Sequence, residues 1–312
     1  PVIISIFLGE QLEDVVKQLV ETGVASSAKK GEKLATGVST LPDFVKDATD
    51  RNRTSPFAFT GNKFEFRTVG SSDSIASPNT TINAIVAEAF CEAADRLEKA
   101  EDFDMAVHDL IKEYMTKHQR ILFSGNGYSK EWYEEAMRRG LPNIQSTIEA
   151  APTLTTDKAV KLFEKFGIFT RVELESREEI IYETYAKTIN IEALTMIDMA
   201  GKDIIPAVAA YTGELANTVV TVKEAGAPAT AQTELLVEVD SLLAEAKKAL
   251  KHLEECTVHA NKIENAKERA FYYKDVVDVA MTALRKPVDK LEMLVDSDIW
   301  PMPTYGELMF EI

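Results

Sequence analysis

The chain is poor in histidine, cysteine and tryptophan, has no long apolar run and carries no excess of positive charge. Its 312 residues include only two cysteines, Cys91 and Cys256, four histidines and two tryptophans. No Cys-x-x-Cys pair occurs, so a disulfide framework is excluded and a reducing, cytoplasmic setting is expected. His252 and His259 lie seven residues apart, too far for a joint metal site on one helix. Neither they nor His108 and His118 belong to a carboxylate–histidine motif, so all four read as surface or packed residues. No serine sits in Gly-x-Ser-x-Gly, which removes an acyl-transfer elbow. No stretch approaches the roughly 18 apolar residues of a spanning helix. Residues 1–8 lack the basic segment of a signal peptide. Basic residues are outnumbered 35 to 51, for a net charge of −16. That balance argues against nucleic acid and anionic membrane as partners. Hydrophobic residues make up 45% of the chain, so the acidity does not imply disorder. An initiator methionine is also absent, and the chain opens on Pro1 inside a strand-like run. It is therefore expected to be a piece of a longer protein.

What is present reads as two regions. Upstream of about residue 100, strands and helices mix; downstream the chain is almost purely helical. The expected fold class is α+β, predominantly α, with a strand near 2–8 and a hairpin over 55–68. Residues 10–22 have the apolar stripe of a helix, with Gly23 as its stop. Residues 24–50 lack a clean period and read as a long loop with room for a short hairpin. Helices are expected over 78–99 and 103–119, then over 130–139 with Ser129 as its cap. Shorter ones follow near 145–150 and 157–166. Ser124-Gly125-Asn126-Gly127-Tyr128 lacks the lysine and hydroxyl of a phosphate loop, so it reads as a turn between helices. Thr170-x-x-Glu173 and Ser176-x-x-Glu179 are capping-box patterns at the start of a long helix. That helix runs towards Ala225 and is expected to kink or break at Pro206. Leu235, Val239, Leu242, Ala246, Ala249, Leu253, Cys256, Ala260 and Ile263 alternate steps of four and three, a heptad seam. Val277, Met281, Leu284, Val288, Leu291 and Val295 repeat it, with Pro287 predicting a kink. Long helices joined by short turns give an antiparallel bundle. Met309, Phe310 and Ile312 form an apolar tail of the kind that docks on a bundle or on another subunit.

The stretch richest in chemistry is Arg51-Asn52-Arg53-Thr54-Ser55-Pro56-Phe57-Ala58-Phe59-Thr60-Gly61-Asn62-Lys63-Phe64-Glu65-Phe66-Arg67. It reads as two strands around a Gly61-Asn62 turn. Strand side chains alternate faces, so Phe64 and Phe66 share one face while Lys63, Glu65 and Arg67 share the other, about 6.6 Å apart. A two-residue turn places Ala58 opposite Glu65, leaving room around the carboxylate. The pattern suits a half-buried strand with a solvated charged face. It also suits a site for a metal-bound polyphosphate, with the carboxylate for a hard cation and the bases for phosphate oxygens.

Asn52-Arg53-Thr54 followed by Lys63-x-Glu65-x-Arg67 resembles the late active-site motif of glutamine synthetases, and the full wording resembles their type III subfamily. The match extends to Gly70-Ser71, to Pro78-Asn79, to the opening run from Pro1 to Gly9 and to the ending Trp300-Pro301-Met302-Pro303-Thr304-Tyr305-Gly306. It therefore spans essentially the whole chain. The resemblance implies ATP-dependent ligation of ammonia to L-glutamate through γ-glutamyl phosphate, with Mg²⁺ or Mn²⁺, in a ring-type homo-oligomer. It implies that residues 1–100 end a catalytic domain and 101–312 form a type III-specific helical domain. In this family the mobile flap ends just before the position of Pro1. Most metal-binding carboxylates are then expected upstream, and this piece alone is expected to be inactive. Residue by residue, Glu65 is similar to the strand's metal ligand. Arg67 resembles the arginine that holds glutamate and the transferring phosphate. Arg53 resembles the arginine on the nucleotide phosphates, which makes it both catalytic and nucleotide-binding. Lys63 occupies the place of a basic nucleotide contact. One departure is Ala58, where many members carry a further arginine. The competing reading is a non-catalytic helical assembly or interaction module.

Overall fold

The computed structural model describes residues 3–25, 33–34, 44–45, 54–61, 63–67, 70, 73–303 and 305–310. The described chain is α+β and predominantly α. It forms two compact units, Pro1–Ala150 with Thr156–Arg171, and Ala151–Thr155 with Val172–Ile312.

In the first unit, β1 (Ile6–Phe7) leads into α1 (Glu10–Thr22). Gly23 ends α1 in the left-handed region at φ 82° and donates its N–H to the Leu19 carbonyl at 3.0 Å, which glycine does without a Cβ penalty. β2 (Lys33–Leu34) and β3 (Phe44–Val45) pair antiparallel within the long loop. β4 (Phe57–Phe59) and β5 (Phe64–Phe66) then form the expected hairpin, with β1 parallel to β4 on its other side. Four of the remaining helices are α2 (Ala76–Leu97), α3 (Phe103–His118), α4 (Lys130–Arg138) and α5 (Thr147–Ala150), followed by α6 (Asp157–Lys165). Ser129 caps α4 by accepting the Trp132 N–H at 3.3 Å. Trp132, 1% exposed, stacks on Phe123 at 4.5 Å and donates Nε1–H to the Ile3 carbonyl at 2.9 Å. With Ala136 and Leu141 it forms a small core around the start of the chain.

The second unit is the helical bundle. It holds α7 (Arg171–Met199), α8 (Ile205–Glu224), α9 (Thr230–Ala260), α10 (Ala266–Tyr272), α11 (Asp278–Glu292) and the short α12 (Tyr305–Phe310). Of the two capping boxes, the one at Thr170 matches the start of α7. The break expected at Pro206 takes a specific form. A π-helical turn over Ala200–Ile204 separates α7 from α8, and Pro206 stands in the first turn of α8. Ile205 still donates its N–H to the Ala200 carbonyl across the wide turn, and Pro206, which has no N–H to donate, follows directly. A second π-helical turn, Tyr273–Val277, joins α10 to α11, while α11 itself continues through the buried Pro287. α9 packs on both α8 and α11. Its seam is buried at Val239, Leu242, Ala246, Leu253, Cys256 and Ala260. Leu250 is buried beside Ala249 because a helix with neighbours on two sides needs a stripe wider than a two-helix seam. Tyr273, 1% exposed, donates its hydroxyl to Asn190 Oδ1 at 2.8 Å and contacts Asn261 Oδ1 at 3.0 Å. That node ties α7 to the α9–α10 connection.

The histidines of α9 are exposed surface side chains: His252 Nε2 lies 3.6 Å from Cys256 Sγ, and the His259 ring lies beside Tyr272. Both cysteines are free thiols. Among the described residues no helix is long and apolar enough to cross a membrane. Leu308, Met309 and Phe310 are exposed, so these tail residues are not buried on the bundle; Ile312 lies outside the described residues. Leu253 is fully buried in the bundle core. Leu253→Ala is therefore expected to lower unfolding stability by about 2–5 kcal/mol in urea titration. Met293→Ala, at an exposed position, should stay within about 0.5 kcal/mol.

Candidate active site

β4 is the central strand of the small sheet. Its register places Phe57 opposite Phe66, Ala58 opposite Glu65 and Phe59 opposite Phe64. Thr60 closes the turn by donating its N–H to the Lys63 carbonyl at 2.8 Å. This is the register that a two-residue turn dictates. One face is aromatic: Phe57 stacks on Phe64 at 5.4 Å, and Phe59 meets Phe64 at 5.2 Å. The other face is charged. Glu65 Oε2 accepts from Arg67 Nη2 at 3.2 Å, and Glu65 Oε1 lies 3.4 Å from Lys63 Nζ. Ala58, with no exposed surface, sits beneath the carboxylate.

The two bases differ in grip. The Arg67 side chain is 16% exposed, against 65% for Lys63. Arg67 is also held by its backbone, whose N–H reaches the Pro56 carbonyl at 2.7 Å, while Nη1 approaches the Ser55 carbonyl at 3.5 Å. Pro56 thus extends the ladder with its carbonyl alone, as a residue without N–H can. Hydrogen bonds from Arg67, then Lys63, hold the Glu65 carboxyl below its ordinary value of 4.5. Screening by water limits both effects on so exposed a group.

The strand rests on residues 122–127. Leu122 bridges Ile6 in parallel, Phe123 donates its N–H to the Ile6 carbonyl at 3.1 Å, and Gly127 donates to the Thr54 carbonyl at 2.6 Å. A Cβ on Gly127 would stand 3.2 Å from Pro56 Cδ, 3.2 Å from the Thr54 carbonyl oxygen and 3.4 Å from Ser5 Oγ. Glycine is needed there for close approach. Arg139 fastens the same segment, donating to the Leu122 carbonyl at 2.8 Å and pairing with Glu135. Arg138 and Arg139 together hold Glu135 down at about 2.

Residues 106–223 match a family model described as the glutamine synthetase C-terminal domain. The whole chain aligns with a glutamine synthetase of Butyrivibrio fibrisolvens at 39% identity, covering 100% of this chain and 45% of that protein. A type-3 glutamine synthetase of Dictyostelium discoideum is 38% identical over 99% of the chain and 43% of its own length. A glutamine synthetase of Bacteroides fragilis (strain YCH46) is 36% identical over 99% of the chain and 44% of its own length. Over essentially its whole length the chain is similar to glutamine synthetases. It spans less than half the length of these relatives.

Of the residues singled out through the glutamine synthetase motif, Lys63, Glu65 and Arg67 come together on one strand face. Arg53 lies outside the described residues. Glu65 suits a divalent cation as one oxygen ligand, since it is partly exposed and favoured in its ionised form. Among the described residues no group of three His, Cys, Asp or Glu side chains gathers around a metal-sized space. Two contributors escaped sequence reading. Ser55 is fully buried, with Oγ donating to the Phe57 carbonyl at 3.2 Å. Gly127 was legible as a turn residue, but nothing local signals that its partner is Thr54.

Gly127→Ala should destabilise the first unit by about 1–3 kcal/mol in urea unfolding, because Pro56 and Thr54 must give way. The Glu65 carboxyl should titrate below 4.5 by NMR. With its folded value depressed, its contribution to stability is complete above 4.5 and is lost as pH falls through the lower folded value. Arg67→Met should return the midpoint towards 4.5 more than Lys63→Met does.

Proposed function

We propose that this chain supplies the late strand motif of a glutamine synthetase active site, and that the full-length protein ligates ammonia to L-glutamate using ATP. The observation that carries this reading is the Lys63–Glu65–Arg67 face, set in a chain 36–39% identical over nearly its whole length to curated glutamine synthetases. In the proposed reaction the glutamate γ-carboxylate attacks the γ-phosphorus of ATP. ADP leaves with the bond electrons, and γ-glutamyl phosphate forms. Ammonia then attacks the acyl carbon, a proton is lost, and phosphate departs.

Phosphoryl transfer of this kind depends on positioning and charge neutralisation more than on covalent help. Glu65 is assigned to Mg²⁺ or Mn²⁺, which when bound offsets charge on the phosphates. Arg67, steadied by the Ser55 and Pro56 carbonyls, is assigned to glutamate and the transferring phosphoryl group. Arg53 is assigned to the nucleotide phosphates. Lys63, largely exposed, is assigned to the nucleotide in place of the further arginine that is absent at Ala58. Residues 1–100 are read as the end of the catalytic domain and 101–312 as a helical extension. The family-model match beginning at residue 106 supports that division. A cytoplasmic setting suits the two free thiols.

The test is γ-glutamyl transferase activity with Mn²⁺ and ADP, measured on the full-length parent. The parent should be active, and Glu65→Ala should lose at least about a hundredfold, the scale of removing one preorganised charge-stabilising group. An active parent with an equally active variant would make Glu65 a structural strand residue. An inactive parent would favour an assembly module.

The reading extends to self-association in a ring-type homo-oligomer. Leu308, Met309 and Phe310 are each more than 60% exposed on α12, an apolar surface suited to a second copy. Replacing all three by serine should lower the mass of the full-length assembly in size-exclusion chromatography with light scattering. An unchanged mass would remove α12 from the interface.

A further inference from the structure

Asn126-Gly127 is the only Asn-Gly pair in the 312 residues. In such a pair the asparagine side chain is readily attacked by the next backbone nitrogen, because a residue without Cβ leaves the ring closure unhindered. Two contacts oppose each other there. Tyr128 donates its N–H to Asn126 Oδ1 at 3.0 Å. That bond polarises the side-chain carbonyl towards attack and stabilises the charge that develops on its oxygen. Gly127, the attacking residue, is buried and donates its own N–H to the Thr54 carbonyl at 2.6 Å. While that bond lasts, the nitrogen is held from both solvent base and side chain. Asn126 itself is exposed, so water reaches it. The electrophile is prepared and the nucleophile is locked.

We propose that Asn126 is a modification site, converted to aspartate and isoaspartate when the Gly127–Thr54 clasp opens. With the clasp open, the Gly127 nitrogen loses its proton to a solvent base and bonds to Asn126 Cγ. The bond from Cγ to the side-chain nitrogen breaks, ammonia leaves, and a succinimide closes. Water then opens the ring. Cleavage at Cγ gives aspartate, and cleavage at the main-chain carbonyl gives isoaspartate. The net change is amide plus water to carboxylate plus ammonium, so the protein gains one negative charge. Isoaspartate also adds a methylene to the main chain. The geometry that brings Gly127 to Thr54, and the Ser129 N–H to the Asn126 carbonyl at 3.1 Å, is then lost. The reaction marks irreversibly each molecule whose support for the strand has opened, and it is independent of the ligase reading.

The test follows the Asn126 peptide of the full-length parent by mass spectrometry during incubation in mildly alkaline buffer. The peptide should gain the mass difference between an amide and a carboxylic acid, and protein isoaspartate methyltransferase should label part of the product. Conversion in native buffer should be at least about tenfold slower than in unfolding urea, where no clasp exists, because local opening costs free energy. Arg139→Met leaves Asn126 and Gly127 in place but removes the guanidinium that holds the Leu122 carbonyl. It should speed conversion in native buffer about three- to tenfold, the worth of one hydrogen bond, and leave the rate in urea unchanged. Asn126→Gln should block conversion, since the longer side chain closes its ring far more slowly. Hydrogen exchange of the Gly127 amide reads the same opening in the parent without any substitution. Across sub-denaturing urea, exchange and conversion should rise in step. Equal rates in native buffer and unfolding urea, conversion that does not track Gly127 exchange, or no conversion even in unfolding urea would overturn the proposal. A folded Arg139→Met protein that converts no faster than the parent would do the same.

Discussion

The β4–β5 register is the constraint on which the candidate site depends. Strand side chains alternate with a period of two, so a slip of one residue would carry Glu65 to the aromatic face and Phe64 to the charged one. Three features hold the register. The Thr60–Lys63 turn contact sets the pairing, the phenylalanine contacts across the ladder favour it, and the Pro56 carbonyl accepts the Arg67 N–H one step beyond the strands. With the register set, the Lys63, Glu65 and Arg67 heads meet without further adjustment. A two-stranded hairpin is marginal by itself. The parallel pairing to β1 and the close approach of Gly127 supply the support that it needs.

The bundle follows a different logic. α9 is its axis, and the alternation of small and large residues along the seam lets α8 and α11 pack against it. The two π-helical turns show how the other helices accommodate their neighbours. At Ala200–Ile204 the wide turn directly precedes a proline that cannot donate to the helical ladder, and α8 continues from Ile205. At Tyr273–Val277 the turn coincides with the fully buried Tyr273, whose hydroxyl meets Asn190 and Asn261.

Local features were legible to within a residue or two wherever the signal was itself local. α1 ends at Gly23, α4 starts at its Ser129 cap, and most positions of both heptad seams are buried, with Leu235, Ala249, Ile263 and Val288 half-buried. The Ala58–Glu65 pairing was also legible, because a two-residue turn leaves a single register. The place of β1 beside β4 was not, since a two-residue strand carries no signal of its partner. The π-helical turns were not either. Proline announces a break, but which helical variant absorbs it depends on packing. The Ser124–Tyr128 run has the composition of a turn, and only its contact with Thr54 makes it part of the site.

The sequence by itself determined the elements, the hairpin register, the charged strand face and the family resemblance. Each of these is written in contiguous residues or in a regular spacing. Tertiary structure alone decided that residues 122–127 buttress the strand, that the Trp132 indole reaches back 129 residues to Ile3, and that the Trp300 indole nitrogen is buried without an acceptor among the described residues. The physical reason is range. Propensity, capping and periodicity act over a few residues, whereas close approach, buried hydrogen bonding and cavity shape depend on groups that meet only when the chain has folded.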